Sequence, residues 1–440
     1  MDVPSFFAAL EAEPDYAGQL AHIEVLPARA GLYAEPQRPL PKELQRLLAA
    51  RGIEQLYAHQ AQALDLARAG RDLAIVTGTA TGKSLAFNLP ILETVLADPE
   101  ARALYLYPTK ALAQDQMKGL TELLASDADL AHRVLPGVYD GDTPPPQRRR
   151  IKAEANLVLS NPDMLHASLL HYHPKWSRFF GGLRYIVLDE VHQYRGILGA
   201  NVGCVLRRLE RVAQHYGARP IYLCASATIA NPAEFVGRLL GREVEVISED
   251  GAPRGRKFFA FWNPAPQGQD QLARRSAGDD ATRLLARAME QGAQALAFTR
   301  TRQGAELIQR YVKEELTALG SPLAGKIRAY RGGYLPNERR EIEQGLFSGQ
   351  LRAAAATNAL ELGVDIGSLD VVLLVGYPGT IASTWQQAGR SGRRGDDSLA
   401  VLIAANDPID QYLLRHPDYF WNQSPEHAVV DPENPYVLAN

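Results

Sequence analysis

The stretch DLAIVTGTATGKS, residues 72–84, decides the fold of the first half of the chain. Residues 72–76 form a short, continuous apolar run, which is typical of a strand buried on both faces of a parallel sheet. The glycine-rich turn that follows, residues 77–84, leads into a segment with helical periodicity. A turn of this kind directs several backbone N–H groups at one point, where the helix dipole also favours an anion. The stretch therefore predicts a strand, an anion-binding loop and a helix in succession.

Similar apolar runs recur on both sides of a polar, turn-rich stretch, SEDGAPRG, at residues 248–255. Each run alternates with a helical pattern, which indicates parallel sheets covered by helices on both faces. Before the polar stretch the predicted strands are residues 72–76, 103–108, 156–160, 184–188 and 220–225. After it they are residues 257–262, 295–299, 327–331, 352–357, 371–375 and 399–404. The sequence therefore predicts an α/β protein with two similar domains in tandem.

The domain boundaries follow from these runs and from changes in composition. The predicted segments are an N-terminal extension at 1–50, domain 1 at 51–247, a linker at 248–256, domain 2 at 257–406 and a tail at 407–440. The extension is rich in proline around Pro27, Pro36, Pro39 and Pro41, which favours an extended arm.

Composition limits the class of protein. The 440 residues include 47 basic and 50 acidic side chains, so the formal net charge is −3 and nucleic-acid binding would need a local basic surface. The two cysteines, Cys204 and Cys224, lie in apolar runs, which excludes a disulfide framework and suits a reducing compartment. No apolar run is long enough to cross a bilayer, and the acidic N-terminus does not resemble a signal peptide. We expect a cytoplasmic protein without a membrane partner, and a monomer is favoured.

The glycine-rich turn carries the side chains that phosphate binding needs. Lys83 would reach the β- and γ-phosphates of a nucleotide, and the hydroxyl of Ser84 would ligate magnesium. Thr77 stands where such loops usually have their first glycine. A chance Gly/Thr turn is the alternative, but the strand before it and the helix after it favour a site for ATP and Mg²⁺.

Two carboxylates follow the predicted strand at 184–188. A carboxylate at the end of a strand near the phosphate loop can hold magnesium, and its neighbour can polarise the attacking water. Asp189 is the predicted metal ligand, with Ser84, and Glu190 is the predicted base. Taken alone, an Asp-Glu pair at this position would be interpreted as a solvated loop or a helix cap.

Domain 2 contains QQAGRSGR at residues 386–393, with two arginines three residues apart. Phosphoryl transfer needs positive charge where the charge of the γ-phosphate spreads, and Arg390 and Arg393 could supply it. A surface arginine patch is the alternative. The intervening glycines, which permit close approach to a ligand, favour the catalytic interpretation.

Together these segments resemble the core of superfamily 2 helicases of the DEAD/DEAH type. The resemblance implies two RecA-like domains with ATP in the cleft between them, and it implies the following roles. The catalytic residues would be Lys83, Glu190, Arg390 and Arg393. The ATP contacts would come from Gln60, Thr79, Ala80, Thr81, Gly82, Lys83, Ser84, Gly363 and Asp365, with Gln60 reading adenine. Coupling of hydrolysis to unwinding would involve His192, Ser226, Thr228 and Gln386, and strand contacts would involve Thr109, Lys110, Asn161, Arg300 and Thr357.

Three longer motifs are similar to those of the MrfA (YprA) branch, relatives of fungal RecQ-like repair helicases. They are DEVHQYRGILGANV at 189–202, SATIANPAEF at 226–235 and TNALELGVDIG at 357–367. This resemblance implies a 3′→5′ DNA helicase that acts in DNA repair on single-stranded or tailed duplex DNA. It also implies that the core is followed in the family by a cysteine-bearing C-terminal domain.

The motifs leave two alternative functions open. The same motor core could act on RNA or move along duplex without separating it, and a non-catalytic clamp could use ATP only as a structural ligand. Two basic features have no assigned role. His166, His171 and His173 match no zinc spacing and are interpreted as loop histidines, while Arg207, Arg208 and Arg211 are interpreted as a solvated helix face.

Overall fold

The fold is described from a computed structural model of the chain. The structure describes residues 1–78, 81–267, 270–361, 366–367, 369–392 and 395–439. They form two compact units. The phosphate-loop unit comprises Leu32–Ala252 together with residues 426–439, and the arginine unit comprises Met1–Gly31 together with Pro253–Pro425.

Eleven of the described strands fall close to the predicted apolar runs, and β1, β4, β8, β10 and β11 were not predicted. Their bounds are β1 Leu20–Leu26, β2 Leu73–Val76, β3 Arg102–Leu106, β4 Pro136–Val138, β5 Leu157–Ser160, β6 Leu183–Leu188, β7 Ile221–Ser226, β8 Glu245–Ile247, β9 Lys257–Trp262, β10 Pro266–Gln267, β11 Asp270–Arg274, β12 Ala295–Thr299, β13 Ile327–Tyr330, β14 Ala353–Ala356, β15 Val371–Val375 and β16 Ser398–Ile403.

Helices connect most of these strands. Their bounds are α1 Val3–Glu11, α2 Lys42–Ala50, α3 Ala58–Arg68, α4 Lys83–Ala97, α5 Lys110–Leu124, α6 Ala128–Arg133, α7 Pro145–Glu154, α8 Pro162–Met164, α9 Ser177–Gly181, α10 Gly196–His215, α11 Pro232–Leu240, α12 Ala277–Glu290, α13 Arg302–Ala318, α14 Pro336–Phe347, α15 Ile381–Ala388, α16 Pro408–Arg415, α17 Pro417–Asn422 and α18 Pro435–Leu438.

Each unit is built on one seven-stranded sheet. In the phosphate-loop unit the order is β4-β5-β3-β6-β7-β2-β8, and every pairing is parallel. In the arginine unit the order is β1-β9-β16-β15-β12-β14-β13, and β1 is antiparallel to β9. Alternate residues of β3 enter two different apolar clusters, as do those of β12, so helices cover both faces of each sheet. The predicted fold class is confirmed.

The N-terminal residues differ from the predicted extended arm. Residues 1–31 belong to the arginine unit, because β1 pairs along β9 and Phe6 of α1 is completely buried in that unit's core. Glu13 and Asp15 strengthen this attachment through ion pairs with Arg283, at 2.7 and 2.6 Å. The predicted 1–50 extension therefore divides, since residues from Leu32 onward pack with the phosphate-loop unit.

The tail at 407–440 also divides. Helices α16 and α17 pack within the arginine unit, whereas residues 426–439 belong to the phosphate-loop unit. The Asn231 side chain exchanges two hydrogen bonds with the backbone of Ala428, at 2.9 and 3.0 Å. Pro432 lies so close to Gly203 of α10 that a Cβ there would be 3.0 Å from the proline ring. The unit boundary near Ala252 falls inside the predicted 248–256 linker.

Candidate functional site

The loop after β2 is braced by its own side chains. Gly82 has φ +81°, which strains any residue with a side chain, and a Cβ on it would lie 2.5 Å from Gln60 Nε2 and displace that amide. Gln60 donates to the Gly82 carbonyl at 3.1 Å and accepts from the Tyr57 N–H at 3.0 Å. Thr77 Oγ1 lies 2.7 Å from Thr81 Oγ1, which gives the threonine at the usual glycine position a role in holding the loop. Gln60 thus positions the loop in the structure, and its adenine contact remains a prediction.

Helix α4 begins at Lys83, at the end of this loop. Its ammonium donates to the carbonyls of Thr77 and Gly78, at 2.9 and 2.7 Å. The next residue, Ser84, donates to Gln116 Oε1 of α5 at 2.9 Å. Gln116 was not among the predicted site residues, because nothing in its local sequence indicates a partner 32 positions earlier.

Asp189 and Glu190 follow β6, which is separated from β2 only by β7 in the sheet. Since parallel strands end at one sheet edge, the carboxylates and the phosphate loop share that edge. Burial and the Glu190 carboxylate raise the pKa of Asp189 to about 7, and the Lys83 ammonium acts in the opposite direction. The predicted metal ligand and the predicted phosphate-binding lysine therefore interact electrostatically.

Glu190 has an unusual backbone. It has φ +50°, the left-handed region, and no other described non-glycine residue has a positive φ. Such a conformation costs about 1–3 kcal/mol and is concentrated at functional sites. Glu190 Oε2 is buried, accepts no hydrogen bond from the part of the chain that the structure describes, and lies 3.4 Å from His192 Nδ1. This oxygen can therefore serve as an acceptor for a water molecule.

His192 connects this turn to the end of β7. Its Nδ1 accepts the Ala227 N–H at 3.2 Å, and its Nε2 lies 2.9 Å from the Gln193 side-chain nitrogen. Ser226 is buried, and its hydroxyl donates to the Ala227 carbonyl at 2.7 Å. Thr228, two residues on, is exposed. The structure thus brings His192 and Ser226 to the backbone of one residue, Ala227, and their role in coupling remains a prediction.

The predicted strand contacts have structural partners. Thr109 caps α5 through the Leu112 N–H at 3.3 Å, and Asn161 caps α8 through the Met164 N–H at 2.8 Å. Lys110 pairs with Asp142 at 2.9 Å. In both caps a helix N–H already donates to the side-chain oxygen, and strand contact by these residues remains a prediction.

The two predicted strand contacts of the arginine unit also have partners within it. Arg300 donates to the Tyr377 carbonyl at 3.1 Å through Nε and lies 3.5 Å from Asp410. Thr357 is buried and accepts a long hydrogen bond from the Ala359 N–H at 3.5 Å. The side chain of Arg300 is 52% exposed, whereas Thr357 is buried.

Helix α15 of the arginine unit leads to Arg390. That residue is buried, and its Nη2 donates to the Glu361 carbonyl. The Glu361 carboxylate accepts from Ser383 and, at 3.0 Å, from Gln387 Nε2. Gln386, the predicted coupling residue, is also buried, but the hydrogen bond to Glu361 comes from its neighbour Gln387. Glu361 and Gln387 are site residues that the sequence interpretation missed.

Lys257 on β9 supports the same turn and was also missed. Its ammonium donates to the carbonyls of Ala388 and Ser391 and to the Ser391 hydroxyl, at 2.7, 2.8 and 3.0 Å. Burial lowers the pKa of Lys257 to about 7, whereas the three acceptors favour its charged form. Lys257 is therefore a positioning residue for the segment that carries Arg390.

We expect Lys257→Met to lower the maximal rate of ATP hydrolysis at least tenfold while leaving the Kd for ATP within about twofold. The reason is that the turn loses all three hydrogen bonds from Lys257; the Ala388 carbonyl still accepts from Ser391, but a buried acceptor left unpaired costs about 1–3 kcal/mol. Steady-state kinetics and nucleotide titration measure the two quantities. Lys313→Met, at an exposed position on α13, is the control. A proportional rise in Kd with an unchanged rate would contradict the positioning role.

Five predicted site residues lie outside the described part of the chain. They are Thr79, Ala80, Gly363, Asp365 and Arg393.

Two family models match the chain in sequence. The DEAD/DEAH box helicase model matches residues 57–235, and the helicase conserved C-terminal domain matches residues 279–395. The crystal structure of DUF1998 helicase MrfA bound to DNA and AMPPNP superimposes with a TM-score of 0.93 at 41% identity, over 100% of this chain and 60% of MrfA. The chain belongs to the superfamily 2 helicases of the MrfA/YprA type. Its two units are the tandem RecA-like domains of that family.

Curated relatives agree with this assignment. The ATP-dependent helicase YprA of Bacillus subtilis is 45% identical over 92% of this chain and 54% of its own length. The ATP-dependent helicase hrq1 of Schizosaccharomyces pombe is 38% identical over 98% of this chain and 41% of its own length. This helicase core therefore spans about half the length of the relatives it matches. Within the described residues, no helix is long and apolar enough to cross a membrane.

Proposed function

We propose that this chain is the ATP-hydrolysing motor core of a DNA helicase. It translocates 3′→5′ along single-stranded DNA, unwinds duplex and acts in DNA repair. The observation that carries the proposal is the grouping of Lys83, Asp189 and Glu190 at one sheet edge, with a strained Glu190 backbone and a raised Asp189 pKa. Groups with perturbed pKa values are typical of functional sites.

The donor set at this edge fits Mg²⁺. Asp189 is buried and makes no ion pair among the described residues, and a buried carboxylate requires a counter-charge. Ser84 and Asp189 supply the oxygen ligands that magnesium prefers, and they would hold the ion. When bound, Mg²⁺ neutralises phosphate charge.

The chain's own residues account for the remaining steps. Backbone N–H groups at the start of α4 and the Lys83 ammonium bind the phosphates of ATP. Glu190 orients the attacking water and accepts its proton. Arg390 and Arg393 are proposed to supply positive charge to the γ-phosphate as the transition state forms. Hydrolysis removes the γ-phosphate contacts that favour the ATP-bound conformation, so the protein leaves that conformation.

DNA is favoured over RNA as the strand. MrfA, which shares 41% identity, has been solved with DNA, whereas the RNA-bound DEAD-box helicases that match share 16% and support the fold alone. Against a non-catalytic clamp, Lys83, Asp189 and Glu190 together form a hydrolytic set that a clamp would not require. Movement on duplex without strand separation stays an alternative.

The experiment compares phosphate release by this chain with single-stranded DNA, duplex DNA and RNA of the same length. We expect the largest stimulation with single-stranded DNA. A larger stimulation with RNA would replace DNA by RNA in the proposal, and stimulation by duplex alone would favour a duplex translocase.

We also expect the double variant Ser226→Ala, Thr228→Ala to hydrolyse ATP at more than half the wild-type rate and to unwind a 3′-tailed duplex at least tenfold more slowly. Removal of the Ser226 hydroxyl takes away its hydrogen bond to the carbonyl of Ala227, the residue whose N–H contacts His192, while Lys83 and Glu190 stay in place. Strand separation and phosphate release are measured in the same tube, and Thr228→Ser is the conservative control. Equal loss of the two activities would argue against coupling.

A further inference from the structure

A basic pocket lies on the phosphate-loop unit, away from the residues assigned so far. It has a volume of about 560 Å³ and is open to solvent. Its polar lining consists of His171, His173, Arg208, Arg211 and His215, and we call it the His/Arg pocket. The sequence interpretation gave these histidines and arginines no function.

The His/Arg pocket is separate from the nucleotide site. Helix α10 starts after β6, where Asp189 lies, and ends at His215, just before β7 begins. Because β6 and β7 are parallel neighbours, a helix joining them runs from the carboxyl edge of the sheet back to the amino edge. Arg208, Arg211 and His215 therefore lie toward the edge opposite Lys83.

Among the described residues, no carboxylate forms an ion pair with Arg208 or Arg211. Arg211 has no ion pair within the described residues. Arg208 donates a hydrogen bond to His166 Nδ1 at 2.8 Å, so its partner there is a ring nitrogen and not a carboxylate. Glu210, between them on α10, is committed to Arg242 instead. Arginines without a carboxylate partner in a concave site are suited to binding an anion such as phosphate.

The histidines are held in place by ring contacts. His173 Nδ1 lies 2.9 Å from Tyr216 Oη, and the His215 ring packs edge-on against Tyr216 at 4.9 Å. No group of three or more His, Cys, Asp or Glu residues in the described ranges is arranged to hold a metal ion. The pocket therefore presents fixed nitrogen groups for hydrogen bonding to a ligand.

An exposed aromatic ring beside the His/Arg pocket indicates the kind of anion. Tyr172 is 48% exposed, with the His171 ring edge-on at 4.5 Å and Lys175 Nζ 5.4 Å from its ring centroid. Cationic groups that follow a backbone, next to an aromatic ring on which a base can stack, are the usual combination in single-strand binding sites. A carboxylate ligand has no ring to stack on Tyr172, whereas a nucleobase has one.

We propose that the His/Arg pocket binds the phosphate backbone of a nucleic-acid strand, with Tyr172 stacking on a base. It would be a second strand contact, outside the motifs linked to ATP. The inference rests on the proposed function only in taking a nucleic-acid strand as the occupant. Such a contact would keep the core attached to the strand while the motor motifs release it.

The test is the salt dependence of DNA binding without nucleotide. Fluorescence anisotropy with labelled oligodeoxythymidylate gives the Kd of the whole chain across a series of NaCl concentrations. We expect Arg211→Gln to weaken binding several-fold at low salt. It should also reduce the slope of log K against log[NaCl] by about 0.7, the value for one lost phosphate contact on a single strand. Tyr172→Leu should weaken binding without changing the slope.

The matched control is Arg207→Gln, the same charge change on the same helix but outside the pocket, where Arg207 lies 3.7 Å from Glu433. It should keep the wild-type slope. Wild-type binding in Arg211→Gln, an equal change in both variants, or displacement of the oligonucleotide by polyglutamate as readily as by unlabelled oligonucleotide would overturn the proposal.

The ATPase rate at saturating DNA separates this proposal from the proposed function. Arg211→Gln should retain that rate within twofold, because the nucleotide site is unchanged. If the wild-type chain binds DNA and hydrolyses ATP but the pocket variants are normal, only the pocket inference fails. If the wild-type chain does not bind DNA at all, both proposals fail.

Discussion

Arg393→Ala is expected to reduce DNA-stimulated ATP turnover by about 10³–10⁵-fold, the range for arginines that complete a phosphoryl-transfer site. The Kd for ATP should stay within about threefold. An arginine of this kind acts on charge that develops in the transition state, so its loss affects the rate far more than ground-state binding. Single-turnover phosphate release and nucleotide titration measure the two quantities.

Arg393 is a cleaner test than Arg390. Arg390 is buried and donates to the Glu361 carbonyl, so its removal would also lower the melting temperature. The control for Arg393→Ala is Arg340→Ala, at an exposed position on α14, which should leave turnover unchanged. If turnover in Arg393→Ala stays within a few fold of wild type, the assignment of Arg393 to the γ-phosphate is wrong.

Glu190→Gln is expected to hold ATP without hydrolysing it. The amide has the shape of the carboxylate but cannot accept a proton, and loss of a positioned general base costs about 10²–10⁴ in rate. Glutamine can occupy the same left-handed backbone with a similar strain, so folding should be preserved. ATP affinity and phosphate release are measured as for Arg393→Ala.

The same substitution at an exposed glutamate controls for charge. Glu122 on α5 is exposed and lies 4.0 Å from Lys118, so Glu122→Gln should behave as wild type. Turnover near the wild-type rate in Glu190→Gln would remove Glu190 from the catalytic role.

The strands of both sheets were predictable because most of them are buried on both faces and appear as continuous apolar runs. β1 was not, because it is an edge strand with alternating burial in a proline-rich segment, and its partner β9 lies over 230 positions later. β4 and β8 have only three residues each, too few to show a pattern. The division of the tail depends on contacts of Ala428 and Pro432 that are specific to the folded chain.

The same limit applies to the candidate site, where the sequence indicates residues in local motifs but not residues that act through distant contacts. Lys83, Asp189 and Glu190 lie in motifs whose local pattern indicates their chemistry, and the structure places them at one sheet edge, while their catalytic roles stay predictions. Lys257 and Glu361 act through partners 131 and 26 residues away, and no local pattern indicates such contacts. Their burial, which makes their hydrogen bonds important, is a property of tertiary packing.

The central claim is that this chain hydrolyses ATP at the Lys83 loop in response to a DNA strand. The most direct measurement is phosphate release by the purified chain with and without a 3′-tailed duplex, alongside Lys83→Ala. The account predicts release that DNA increases at least tenfold and that Lys83→Ala abolishes. Release that is absent with every polymer, or that persists in Lys83→Ala, would contradict it.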